Sequence, residues 1–163
     1  MLLNKFQKTS SVILIVAILG IIGCGEPAPE PDATTYLEKG DTLFNDERYI
    51  EAIKEYTKAI ELNPNLESAY IKRGDSHSGP LRRYKEAIEN YTKYIELDPN
   101  DAIAYYNRGF SFRKLEEHEK AIEDNSKAIE IDPKYANAYN NRSLSYVKLG
   151  EYEKAIDDCS KVI

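Results

Sequence analysis

The strongest constraint on this chain is that it repeats itself. "IELNPNLESAYIKR" at 60–73 returns as "IELDPNDAIAYYNR" at 95–108 and as "IEIDPKYANAYNNR" at 129–142. Alanines 52, 87, 121 and 155 recur at intervals of 35, 34 and 34 residues. Around them the first copy has Tyr36, Gly40, Tyr56, Ala59 and Pro64, and the second Tyr70, Gly74, Tyr91, Tyr94 and Pro99. The third has Tyr105, Gly109, Asn125, Ala128 and Pro133, and the fourth Tyr139, Ser143, Cys159 and Val162. A unit this short cannot bury its apolar face alone, so copies must stack into a solenoid.

Within a copy, Ala52, Tyr56, Ala59 and Ile60 follow one another at steps that place them on one helical face. Each copy therefore reads as two helices, the first from about Tyr36 to Asn45 and the second from about Tyr49 to Leu62. Asn63-Pro64, Asp98-Pro99 and Asp132-Pro133 end the second helix, because the residue before proline is pushed out of the α region. Gly40, Ala52 and Ala59 are small where two helices have to approach.

These residues resemble the tetratricopeptide repeat, a helix-turn-helix unit of 34 residues whose aromatic, glycine, alanine, aromatic and proline signature is met nearly in full. The resemblance covers residues 33 to 163 and puts the repeat domain at 35–163, with the fourth copy incomplete. It implies an all-α solenoid of about four repeats, wound as a right-handed superhelix with a concave groove. The resemblance lines that groove with the first helix of each copy. The side chains expected to face it are Leu37, Asp41, Ile71, Asp75, Tyr106, Phe110, Asn140 and Leu144, with Asn107, Asn140 and Asn141 available to a peptide backbone. Such a surface suits an extended or helical peptide, while packing between helices is the other use for the same side chains.

The carboxylate clamp found in chaperone cofactors of this family does not fit. It needs Lys then Asn around the first glycine, where this chain has Leu37 and Asp41, and then Lys72 stands where Asn is required. Starting one copy later gives Ile71 and Asp75, a matching Asn107, and then Asn137 and Asn141 in place of the basic pair.

Before the repeats lies a different kind of sequence. Lys5 and Lys8 precede an apolar run from Val12 to Ile22, followed by Gly23, Cys24 and Gly25, the order of a secretory signal peptide. The run is about half the ~20 residues that a membrane span requires. "IIGC" at 21–24 resembles the lipobox of bacterial lipoproteins. That resemblance implies removal of residues 1–23, a diacylglycerol on the Cys24 sulfur, and a domain held outside the cytoplasm at a cell or outer membrane. The segment 24–34 contains Pro27, Pro29 and Pro31 and reads as a spacer, extending ~3.1 Å per proline-rich residue.

Processing would shift the formal charge from −6 to −8, since residues 1–23 carry only Lys5 and Lys8. No basic stripe is present, which argues against nucleic acid as a partner. No cofactor is expected, and catalysis is not: the two histidines, His77 and His118, lack companions, and no nucleophile or phosphate-binding motif occurs. His118 stands where other copies have Tyr49, Tyr84 and Tyr152, a packing position. His77 is expected to be exposed, and Cys159 to pack as a small hydrophobe.

Three breaks in the pattern remain. The stretch "SHSGPL" at 76–81 carries one extra residue and a Gly-Pro pair, which should shorten its helix and bulge the loop. Asn125 replaces a tyrosine and would need partners if buried. The final helix lacks a polar capping helix after it, so self-association through that end, or continuation as a module of a larger envelope protein, is a further expectation.

Overall fold

The computed structural model describes residues 30–162. The expected signal peptide, Cys24 and most of the expected spacer lie outside those residues. Among the described residues eight helices follow one another: α1 (Ala33–Asn45), α2 (Tyr49–Leu62), α3 (Glu67–Ser78), α4 (Tyr84–Leu97), α5 (Ala102–Lys114), α6 (His118–Ile131), α7 (Ala136–Leu149) and α8 (Tyr152–Ser160). Among the described residues there is no strand. The chain is the expected all-α solenoid of helical hairpins.

Every helix packs on the next in sequence, and α1, α3, α5 and α7 also touch one another in turn. The second helices α2, α4, α6 and α8 do not meet each other. Helices that stand closer together line the inside of a curved stack, so the first-helix face is the concave one.

The helix boundaries have local causes. α1 starts at Ala33 rather than near Tyr36, because the Asp32 carboxylate accepts from the Thr35 amide at 2.8 Å and caps the first turn. Residues 33 and 34, read as the end of the spacer, are therefore helical. α2, α4 and α6 stop at the residue before proline, each with extended backbone there. Between the two helices of a hairpin, the chain turns through one left-handed residue: Glu47 (φ 61°), Arg82 (φ 53°), Glu116 (φ 63°) and Gly150 (φ 79°). Only the last is glycine, so three repeats hold a strained side chain in this turn.

The hairpin contact explains the small residues. Ala52, Ala59, Ala87, Ala121 and Ala128 are fully buried. A Cβ on Gly40 would stand 2.4 Å from the Tyr56 ring, and one on Gly74 would stand 2.7 Å from the Tyr91 ring. In the third repeat a Cβ on Gly109 would meet the Asn125 amide at 2.6 Å. The fourth repeat pairs Ser143 with Cys159 at these two positions, where the smaller partner leaves room for a side chain in place of glycine. Asn125 is fully buried; its Nδ2 donates to the Ala121 carbonyl at 2.6 Å, while its Oδ1 has no partner among the described residues.

Adjacent repeats are joined by a ladder of arginines. The Arg108 guanidinium grips both oxygens of Asp124 at 2.8 Å within its own repeat and donates at 3.2 Å to Thr92 of the preceding one. Arg142 makes the same fork with Asp158, at 2.8 and 2.6 Å, and reaches back to Ser126 at 2.9 Å. Arg73 bonds the neutral Asn90 at 2.7 Å and reaches back to Thr57 at 3.0 Å. The first repeat has Lys39 at this position, paired with Glu55 at 3.2 Å. A planar fork with donors on two sides can bridge two repeats, whereas an ammonium serves one.

Two expectations fail here. His77 is buried, at 8% exposure, because it occupies the inward register that Leu43 holds in the first repeat. Burial holds its imidazole below the usual histidine range. The Gly-Pro pair does shorten α3, which ends at Ser78, and the extra residue is taken up by the loop that follows. Cys159 is exposed instead of packed. Its counterparts Tyr56, Tyr91 and Asn125 each have a following hairpin over them. Ile156 and Tyr152 on the same helix are 71% and 63% exposed.

Candidate functional site

Two adjoining cavities lie along the concave face, and Asp75 lines both. The first, of about 210 Å³, is bounded by Asp41, Phe44, Asn45, Tyr56, Lys72 and Asp75. The second, of about 230 Å³, is bounded by Asp75, Ser78, Gly79, Tyr91, Tyr106, Asn107 and Phe110. Both take residues from first helices one turn apart, with a tyrosine from the second helix as the floor.

Those tyrosines reach across the hairpin to the carboxylates. Tyr56 Oη donates to Asp41 Oδ1 at 2.9 Å, and Tyr91 Oη donates to Asp75 Oδ1 at 2.8 Å. Burial beside a carboxylate raises both phenols well above the usual tyrosine range, so they remain donors at physiological pH. Lys72 Nζ sits 3.0 Å from Asp41 and compensates it. Asp75 is placed differently. Its Oδ1 also accepts from Asn107 Nδ2 at 3.2 Å, but no described cation pairs with it, and its Oδ2, like that of Asp41, has no bond from a described residue. Burial pushes its carboxyl above the usual range, with the Tyr91 bond and the Lys72 charge pulling the other way.

The third repeat changes the chemistry at both positions at once. Phe110 stands where Asp41 and Asp75 stand, and Asn125 stands where the tyrosines do. The Phe110 ring lies 6.4 Å from both Tyr106, at a tilt, and Tyr84, edge to face, and Tyr106 lies 5.2 Å from Tyr135. Arg113 and Lys114 place their charges 5.3 and 5.2 Å from the Phe110 ring. The groove thus runs from paired carboxylates on α1 and α3 to an aromatic shelf flanked by cations on α5.

The structure brings Asp41, Asp75, Tyr106, Asn107 and Phe110 of the expected residues to these two cavities. Ile71 is half-buried and Asn140 is exposed, and neither lines a cavity. Leu144 is 43% exposed on α7. Two others are used for packing. Leu37 lies against the buried cluster of Leu43, Ala52 and Tyr56, and Asn141 is 3% exposed with its Oδ1 accepting from Arg113 Nε. Asn141 is therefore not offered to a peptide backbone: its register, one residue from the groove row, turns it toward the neighbouring repeat. Phe44, Asn45, Ser78 and Gly79 were missed, although they stand three and four residues beyond Asp41 and Asp75 and so share their helical face.

Comparison with known proteins agrees with this architecture. Family profiles described as tetratricopeptide repeat match residues 102–135 and 126–157, and a TPR repeat profile matches 40–78 and 83–115. A crystal structure of MamA protein is 31% identical, with 80% of this chain and 71% of that one covered and a TM-score of 0.78. The first TPR of Spaghetti (RPAP3), solved bound to an HSP90 peptide SRMEEVD, is 25% identical over 73% of this chain and 94% of that one, with a TM-score of 0.70. Hsp70-Hsp90 organizing protein 1 of Arabidopsis thaliana is 49% identical over 41 residues, a quarter of this chain. The match spans 7% of that protein's length.

Proposed function

The chain belongs to the tetratricopeptide repeat family, and from that premise we propose that it is a lipid-anchored scaffold outside the cytoplasm that docks a peptide or protein partner in its concave groove. The observation that carries the docking half is the pair of cavities on the first-helix face, floored by Tyr56 and Tyr91 and walled by Phe44, Tyr106 and Phe110. Apolar walls with a few placed polar groups are what a peptide groove requires. The RPAP3 repeat domain, similar in fold, was solved with a peptide bound. The anchoring half is supported by the order of charged, apolar and small residues that ends at Cys24. One acyl chain gives only marginal attachment, and lipoprotein processing supplies at least two.

Two experiments separate the halves. Cys24→Ser abolishes metabolic lipid labelling and leaves unprocessed precursor if Cys24 is the anchor, and unchanged labelling refutes it. A crosslinked pull-down from native membranes compares the wild type with a Tyr106→Ala, Phe110→Ala double variant of equal helicity. Loss of a specific partner supports groove docking; identical partner sets refute it.

A second reading rests on α8, whose outer side leaves Tyr152 and Ile156 open to solvent. Self-association through that face, with the repeats as a module or spacer, predicts a concentration-dependent dimer in light scattering that Ile156→Glu dissolves.

A further inference from the structure

Asp75 is a charge left without a counterion in the middle of the groove. Its neighbour Asp41 shows what a counterion adds: the Tyr56 hydroxyl and the Lys72 ammonium, the latter at 3.0 Å, both meet its Oδ1, while its Oδ2 is open as well. Asp75 has the matching tyrosine and the Asn107 amide, both on Oδ1 and both neutral. Lys72, the cation acting on it, is already paired with Asp41. Oδ2 has no bond from any described residue, and the side chain lines both cavities. Arg113 and Lys114, a turn further along α5, stack on Phe110, and Arg113 is bonded to Asn141.

A half-buried carboxylate with one open oxygen, beside the Tyr91, Tyr106 and Phe110 rings, has the chemistry that receives a cationic side chain. The carboxylate supplies charge, the rings cover the methylenes or the face of a guanidinium, and the half-buried position of the carboxylate weakens competition from water. An acidic peptide would meet repulsion at the same point.

We propose that the groove selects an extended segment of a partner protein carrying an arginine or lysine, whose charged head seats on Asp75 Oδ2 between Tyr106 and Phe110. This rests on the groove-docking reading above and adds the chemistry of the partner.

The test uses the full chain purified in detergent and a random linear-peptide display library as the probe. Three proteins are selected in parallel: the wild type, Asp75→Asn, and Tyr106→Ala with Phe110→Ala. Glu89→Gln, on the outer helix α4, serves as a control carboxylate, and circular dichroism confirms that every variant is helical. The expected result is enrichment of one central Arg or Lys in wild-type peptides. Synthetic versions of the best binder should lose affinity about tenfold or more when that residue becomes citrulline or norleucine. Asp75→Asn erases this difference and Glu89→Gln preserves it. Peptides that need the aromatic pair but show no basic preference, or show an acidic one, overturn the cation proposal and leave groove docking standing. Failure to enrich any peptide that depends on Tyr106 and Phe110 overturns both.

Discussion

Replacing Arg108 with methionine tests how the repeats are held together. The guanidinium satisfies both oxygens of Asp124, and the two side chains are 18% and 6% exposed. Burial raises the Asp124 carboxyl, and the Arg108 bonds and charge draw it back. Removing one partner of a buried pair costs ~3–5 kcal/mol, because the other charge is stranded. Arg108 is partly solvated, so the low end, about 3 kcal/mol, is expected for Arg108→Met. Arg73 provides the internal control, since its partners Asn90 and Thr57 are neutral. Arg73→Met strands no charge and should cost about 2 kcal/mol, the range for orphaning buried neutral groups. Adding Asp124→Leu to Arg108→Met should recover most of the loss, as it does when both members of a buried pair become apolar. Urea denaturation followed by circular dichroism, with slopes compared for two-state behaviour, measures all four proteins. Equal losses for the two arginine variants, or a double variant no more stable than Arg108→Met, would refute the reasoning.

Four further outcomes are expected from the same assay. Asn125→Leu removes the orphaned Oδ1 and should raise stability by about 1 kcal/mol. Glu116→Gly relieves a left-handed glutamate at φ 63° and should add roughly 0.5–1 kcal/mol, the strain less the entropy that glycine brings to the unfolded chain. Gly74→Ala drives a methyl against the buried Tyr91 ring and should cost ~1–3 kcal/mol, seen as a lower urea midpoint. His77 is held neutral by burial, so its folded pKa lies below the ordinary 6.5 and the unfolded chain takes up the proton first on acidification. Stability should therefore fall as pH drops from 6.5 toward the depressed value, by up to ~1.4 kcal/mol per unit, and His77→Gln should flatten that slope.

The solenoid was legible because its signals are periodic and local. Glycines that face a ring and prolines that end helices act within one hairpin, and four copies repeat the message. What the sequence hid depends on the neighbouring copy. Cys159 has the register of a packed residue and is exposed, whereas its counterparts Tyr56, Tyr91 and Asn125 are buried where the next hairpin packs on theirs. His77 drew attention through the Gly-Pro pair beside it, although its alignment with Leu43 already placed it inward. In the groove, Asp75, Tyr106, Asn107 and Phe110 could be read from the family's first-helix row. The Tyr56 and Tyr91 hydroxyls could not, because they reach in from the second helix. Asn141 shows the reverse error: an amide suited to a peptide backbone is spent on Arg113 between repeats.

The most direct test of groove docking is site-specific photocrosslinking in intact cells. A photoreactive amino acid is placed at Tyr106 or Phe110 on the concave side and at Glu89 or Glu123, exposed on the second helices α4 and α6. The account predicts a discrete adduct of a second protein from the groove positions and none from the second-helix positions. Adducts from Glu89 and Glu123 with none from Tyr106 and Phe110 would place the partner on the outer face and contradict it.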